Sequence, residues 1–175
     1  VKAPRGLQLE PPGAVPTFLL QGDYEGPIKL TLSSARGLDP VHQIGDKLII
    51  TVKTDHDAWL YCFYRQSDGQ WVKMFPNQSH ETAFLKGDRL HTIPDKNYEK
   101  YAFDFDITEP VGVDLIKCYA VTRDVTDELP EPYRAREITP LPPGTDFILS
   151  EVFEGIGNAG ITSASLVITV EARVP

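Results

Sequence analysis

The sequence predicts an all-β domain in which two antiparallel sheets pack face to face as an immunoglobulin-like β-sandwich, with one short helix near the C-terminus. Short segments of alternating apolar and polar residues predict strands, and turn residues separate these segments at intervals of about ten residues. The 15 prolines among 175 residues exceed the usual share of about 5% and favour many short elements joined by turns. A closed barrel is the alternative.

The clearest strands form a hairpin around the turn Ser67-Asp68-Gly69. Trp59–Arg65 precedes the turn and Gln70–Phe75 comes after it, and both runs are aromatic and alternating. An Asp-Gly pair between two such runs is among the strongest hairpin patterns. Further strands are predicted at Val15–Leu20, Ile28–Ser33, Lys47–Lys53, Ala83–Leu85, Leu90–Pro94, Tyr101–Ile107, Val113–Val121 and Ile161–Ala172.

The chain is predicted to form a single domain over residues 1–175, because this length suits one core and no internal repeat is present. Residues 1–16 are predicted to be an extended, proline-rich lead-in. Residues 124–143 are polar and proline-rich and are predicted to form a long loop with room for one helical turn.

A short helix is predicted from Thr145, acting as the N-cap, to Gly155. The apolar residues Ile148, Val152 and Ile156 recur at every fourth position, which is a helical period. Glycine at position 155 and twice more by position 160 ends the pattern.

The charge and hydropathy of the chain exclude two classes of partner. A net charge of −8 and a pI of about 4.9 argue against nucleic-acid binding, which needs basic surfaces. The densest basic stretch, Tyr133–Arg136, is flanked by glutamates. No apolar run approaches the roughly 20 residues that cross a bilayer.

Because the chain begins at Val1 rather than Met, we expect a mature or excised part of a longer precursor.

The two cysteines, Cys62 and Cys118, each lie in the middle of a predicted strand. A disulfide between them would contribute about 4 kcal/mol in the chain-entropy model. The alternative is a pair of buried, reduced thiols that act as small apolar side chains. The sequence slightly favours the reduced pair.

Nucleophilic catalysis and metal binding find little support. No Gly-x-Ser-x-Gly pattern is present, and no cofactor is expected. The spacing of the four histidines does not match that of metal ligands, and they are predicted to be loop residues at the surface. They are His42, His56, His80 and His91. Two carboxylate pairs are candidates, Asp55 and Asp57 for calcium binding and Asp104 and Asp106 for glycoside hydrolysis. For both pairs, an ordinary turn or a solvated strand face is the favoured interpretation.

Aromatic residues concentrate on the predicted hairpin. The candidate surface for a glycan or a partner consists of Trp59, Tyr61, Tyr64 and Trp71, with Phe63 and Phe75 nearby. Alternate residues of a strand point to opposite faces, so a core role for one set is the favoured interpretation, with Tyr64 facing outward.

The stretch from Gly45 to Val121 resembles a bacterial domain family with no assigned activity. The shared motifs are Gly45-Asp46, Asp57-Ala58-Trp59-Leu60-Tyr61, Asp68-Gly69, Phe75-Pro76-Asn77 and Pro110-Val111-Gly112. The resemblance implies a non-catalytic β-domain of secreted or envelope proteins. Members of the family often accompany caspase-like peptidase domains, kinases or envelope lipoproteins.

The sequence and the resemblance together favour a non-catalytic, extracytoplasmic adaptor or assembly module of the bacterial cell envelope. It is expected to bind a protein partner through sheet edges or through the loop at residues 124–143. One alternative is a carbohydrate-binding module that uses the hairpin aromatics. The other is an enzyme whose site is assembled from loop Asp and His residues.

Overall fold

The computed structural model describes residues 27–95 and 104–175. Within these ranges the chain forms eleven strands, one α-helix and a short 3₁₀ turn. The strands are β1 (Leu30–Ser34), β2 (Val41–Gln43), β3 (Lys47–Leu48), β4 (Ile50–Thr54), β5 (Ala58–Arg65), β6 (Trp71–Phe75), β7 (Phe84–Leu85), β8 (His91–Ile93), β9 (Phe105–Asp106), β10 (Gly112–Val121) and β11 (Ile161–Glu171). Helix α1 spans Thr145–Glu154, and the 3₁₀ turn spans Thr126–Glu128.

Most of the predicted strands are confirmed, including the hairpin of β5 and β6 around Gly69. That glycine has a φ of 91°, a left-handed conformation that glycine adopts without strain. Strand β2 was not predicted, since three residues are too few for a periodic pattern. The predicted strand Val15–Leu20, the lead-in at residues 1–16 and the start of Tyr101–Ile107 lie outside the described residues.

A large sheet has the order β2-β11-β10-β5-β6, and β7 also pairs with β5. Its neighbours are antiparallel except for β2, which runs parallel to β11. The longest ladder joins β10 to β11, from Gly112 opposite Val170 to Val121 opposite Ile161. Strand β11, the last in the chain, is therefore an interior strand of this sheet.

A smaller sheet has the order β1-β4-β8. Strands β3 and β9 form a separate two-stranded sheet, and only Ile49 separates β3 from β4 along the chain. Alternate residues of the two sheets share one buried cluster, to which Leu32 and Val52 contribute from the small sheet and Leu60 and Ile168 from the large sheet. The fold is thus mostly β, with several sheets of mainly antiparallel strands and one helix, as predicted; the immunoglobulin-like β-sandwich stays a prediction.

The other face of the large sheet is also covered over much of its area, which the sequence did not predict. Helix α1 and the loop at residues 124–143 pack on this outer face. With Tyr61, Phe63 and Tyr119 they form a second buried cluster, the outer cluster. Strand β5 is therefore buried on both faces. This arrangement explains why β5 is almost continuously apolar rather than alternating.

Helix α1 lies where it was predicted, but its N-cap and its buried face differ from the prediction. The N-cap is Gly144, and Thr145 is the first helical residue. The hydroxyl of Thr145 donates to the carbonyl of Pro142 at 2.6 Å, and no side chain caps the N-terminus of the helix. The fully buried stripe is Thr145, Leu149 and Phe153, while the predicted stripe that includes Ile148 is only partly buried.

The two cysteines form a disulfide, which corrects the slight preference for reduced thiols. Strands β5 and β10 are adjacent, and Cys62 lies directly opposite Cys118 in their register. Their Cα atoms are 4.1 Å apart, and both residues are completely buried. The sequence did not reveal this pairing because strand register depends on residues that are far apart along the chain.

We expect the double substitution Cys62→Ala and Cys118→Ala to lower the free energy of unfolding by about 4 kcal/mol. Removing the bond frees a loop across 56 residues of sequence in the unfolded chain. Urea unfolding of the variant and of the oxidised wild type measures this difference. As a control, denatured wild type from an oxidising compartment should take up no iodoacetamide unless it is first reduced. Two alkylated cysteines in the unreduced sample would contradict the bond.

Candidate functional site

Among the residues that the structure describes, the outer face of the large sheet is covered at one end and exposed at the other. At the open end, the side chains of Val113 and Val167 are 50% and 47% exposed. These valines lie on the neighbouring strands β10 and β11. Val167 is opposite Leu115, which is two residues after Val113 on the same face. They are therefore diagonal neighbours on one face.

An open cleft of about 250 Å³ lies between this face and α1. The sheet contributes Arg65, Leu115 and Lys117, and the helix contributes Leu149 and Ser150. The two-residue period of β10 turns Leu115 and Lys117 to the same side. The four-residue repeat of α1 brings Asp146 and Ser150 to the rim of the same cleft.

Two cations in the cleft lie over aromatic rings. The guanidinium carbon of Arg65 is 5.8 Å from the centre of the Trp71 ring. The ammonium of Lys117 is 5.8 Å from the centre of the Tyr119 ring, which also stacks on Phe153 at 3.9 Å. Trp71 and Tyr119 are only 5% and 6% exposed. The cations, rather than the ring faces, therefore form the chemical surface of the cleft.

The described lining of the cleft contains side chains of both charges. Its lining, within the part of the chain that the structure describes, includes Arg65 and Lys117 but a single carboxylate, Asp146. Tyr119 adds no charge, because burial raises its pKa to about 12, although a hydrogen bond with Ser150 acts in the opposite direction.

The candidate aromatic surface on the hairpin is mostly buried, as the favoured core role predicts. Tyr61, Tyr64 and Trp71 are buried, and Tyr61 and Tyr64 lie in the two different clusters on opposite faces of β5. The outward orientation predicted for Tyr64 is wrong, because its hydroxyl donates a hydrogen bond to buried Asp114. Trp59 is half-buried and packs edge-on against Phe84 at 5.3 Å. The four residues therefore do not present one exposed row of rings.

The carboxylates that are candidates for catalysis or calcium binding have structural partners. One oxygen of Asp57 accepts a hydrogen bond from the backbone of Gly87 at 2.8 Å, and Asp55 accepts one from Lys29 at 2.8 Å. Asp104 and Asp106 both form ion pairs with Lys47. These contacts join neighbouring turns and strands.

The four histidines do not converge. His42 was predicted to be a surface loop residue, but it lies in β2 and is 2% exposed, since that strand packs along β11. His91 lies in β8. Residues 27–95 and 104–175 contain no group of three or more His, Cys, Asp or Glu residues placed to hold a metal ion.

A buried lysine lies beneath the loop at residues 124–143, and sequence reasoning missed it. Lys73 is opposite Phe63 in the β5–β6 ladder and is 1% exposed. Its ammonium group has no hydrogen-bond partner among the described residues. Burial lowers the pKa of Lys73 to about 8, and the charge of Arg136 acts in the same direction. Alternation placed Lys73 on one face of β6, but nothing in the sequence showed that the loop covers that face.

We expect Lys73 to make the domain more stable as the pH rises. Between about pH 8 and pH 10.5 the unfolded lysine binds a proton that the folded lysine does not. The free energy of unfolding therefore increases over this interval, by about 2 kcal/mol. Lys73→Met should remove this increase and stabilise the protein at pH 7.

Urea unfolding at pH 7, 8, 9 and 10 measures the effect of Lys73, with Lys53→Met, an exposed lysine of β4, as the control. The control should keep the pH dependence of the wild type. An identical pH dependence for Lys73→Met and wild type would show that Lys73 is solvated in the folded state.

None of the helices in the described ranges is long and apolar enough to span a membrane. Neither the curated proteins nor the solved structures provide a match to this chain. A family model does match residues 41–124, from β2 to the residues just after β10. This match confirms the family resemblance seen over Gly45–Val121. It leaves α1 and β11 outside, so the cleft is built partly by the matched segment and partly by residues on its C-terminal side. Residues 41–124 of this chain thus match the model of DUF4384, a domain of unknown function.

Proposed function

We propose that this protein is a non-catalytic adaptor of the cell envelope, and that its protein partner docks on the outer face of the large sheet beside α1. The observation that carries the proposal is the open end of that face. There, two half-exposed valines of β10 and β11 continue into the cleft. An immunoglobulin-like β-sandwich is part of this proposal.

The exposed apolar residues favour a protein interface. Val113 and Val167 are diagonal neighbours on the sheet, and Phe147 of α1 is 67% exposed. Phe147 is three residues before Ser150, which places the two on the same side of the helix. Clustered apolar side chains rimmed by charged groups are typical of surfaces that a partner covers.

The loop at residues 124–143 is a less suitable docking element than the sequence suggested. Val125, Leu129, Tyr133 and Leu141 are buried in the outer cluster. The backbone of Leu141 also donates a hydrogen bond to the carbonyl of Trp71 at 2.8 Å. A loop held in this way serves as a support for the sheet, which favours the neighbouring open face for recognition.

The disulfide supports a location outside the cytoplasm. Disulfides form and persist in oxidising compartments and are rare where thiols are kept reduced. The bond between Cys62 and Cys118 lies in the core between the two sheets. An extracytoplasmic location also agrees with the class of secreted and envelope proteins that the family resemblance implies.

We expect a photoreactive phenylalanine at position 167 to crosslink one discrete partner in the cells from which the chain comes. The same group at Lys53, an exposed residue of the small sheet, is the matched control and should give no such adduct. Val113→Asp, combined with the probe at position 167, should weaken the adduct at least several-fold, because a charge would be buried in the interface.

Gel electrophoresis and mass spectrometry of the adducts provide the readout. Equal adduct patterns from positions 167 and 53, or adducts at neither position, would refute docking on this face. Thermal unfolding of Val113→Asp should match the wild type, which separates loss of binding from loss of folding.

A further inference from the structure

Residues 134–140 of the long loop bury little of their surface. The residues on either side, Tyr133 and Leu141, are 3% and 5% exposed and belong to the outer cluster. Between them every residue is exposed or half-buried. A segment with few buried apolar contacts opens locally at a lower free energy than the core does. We call residues 134–140 the cover.

Lys73 lies beneath this part of the loop. It is opposite Phe63 in the β5–β6 ladder and is 1% exposed. Its ammonium group has no hydrogen-bond partner among the described residues. A buried charge without hydrogen bonds costs free energy that hydration would recover. The closed loop therefore opposes protonation of Lys73, and a protonated Lys73 favours any conformation that admits water.

The charged groups that act on Lys73 are all on the loop. Burial lowers the pKa of Lys73 to about 8, and the charge of Arg136 acts in the same direction, whereas Glu131 and Glu137 act in the opposite direction. On β5 the residue opposite Lys73 is the apolar Phe63. Arginine and glutamate side chains keep their charge between pH 7 and pH 9. Within this interval the charge that changes beneath the loop is therefore that of Lys73.

Opening of the cover would break few contacts with the sheet. The backbone of Leu141 donates a hydrogen bond to the carbonyl of Trp71 at 2.8 Å, and Pro140 forms a bridge with Val72. Both contacts are with β6, which is the last strand in the order of the large sheet. The cover can therefore move away without separating β6 from β5.

We propose that residues 134–140 form a cover that opens in the folded protein when Lys73 is protonated and stays closed when the lysine is neutral. In the open form, water solvates the ammonium group and the carbonyl of Trp71 loses its partner from Leu141. The closed form thus protects the edge of β6 from pairing with other chains. This inference does not depend on a partner that docks beside α1.

Hydrogen exchange at the amide of Leu141 measures the opening, because this N–H bonds to Trp71 only in the closed form. The reference is the amide of Ile116 in β10, an interior strand that should exchange by global unfolding. In the wild type at pH 7, Leu141 should exchange faster than Ile116 and depend less on urea. Equal protection and equal urea dependence at the two amides would refute a separate opening.

Lys73→Met should increase the protection of Leu141 at pH 7 by about a hundredfold, because the closed form then contains no buried charge. Lys53→Met, the same change at an exposed position of the small sheet, is the matched control and should leave Leu141 as in the wild type. If Lys73→Met left the protection of Leu141 unchanged, the charge of Lys73 would not drive the opening and the proposal would be wrong.

The pH dependence gives a second criterion. Above about pH 8 the closed form loses the proton of Lys73, whereas a solvated lysine keeps it up to about pH 10.5. A rise in pH therefore favours the closed form. After correction for the intrinsic exchange rate, the opening constant of the wild type should fall about tenfold from pH 7 to pH 9. It should stay constant in Lys73→Met, and a constant value in the wild type would rule out the proposed mechanism.

Trypsin provides a readout that is independent of amide exchange. The cover contains Arg134 and Arg136, and cleavage of a folded protein follows the population of its open form. At pH 8 the wild type and Lys53→Met should be cleaved at these arginines more than tenfold faster than Lys73→Met, as measured by mass spectrometry. Equal cleavage rates in all three proteins would contradict control of the cover by Lys73.

Discussion

The pairing of β5 with β10 is the constraint on which the rest of the structure depends. These strands are adjacent in the large sheet, and the disulfide between Cys62 and Cys118 fixes their register. A shift of one residue would turn every side chain to the opposite face. On one side the pair supplies Leu60 and Ile116 to the core between the sheets, and on the other it supplies Phe63 to the outer cluster.

The same register creates the cleft. Because it pairs Leu115 with Arg65, it brings the cations of two strands into one neighbourhood, and α1 closes the other side. The buried aromatic rings beneath the cations, Trp71 and Tyr119, belong to the outer cluster. The packing of the rings below therefore holds the charged side chains of the cleft in place. The positions of Arg65 and Lys117 depend on two paired strands rather than on loops.

Local patterns predicted the local parts of the fold and little beyond them. The hairpin around Gly69, the strand around Cys118 and helix α1 were all evident from turn residues and periodicity. The packing of the loop at residues 124–143 on the outer face of the large sheet was not evident. The apolar residues of this loop, such as Leu129 and Tyr133, have no regular period. The candidate site was missed for the same reason. Arg65 and Lys117 are unremarkable in the sequence and meet only through pairing across more than fifty residues.

The boundary of the family match crosses the large sheet. The match ends at residue 124, whereas β11, which pairs with ten residues of β10, lies beyond it. A fragment cut at that boundary would leave the backbone donors and acceptors of β10 unpaired along a new edge and would expose Cys118 and its apolar neighbours. Such an edge is a template for association between chains. The smallest unit suitable for recombinant production therefore runs through Glu171, although the recognisable domain is much shorter.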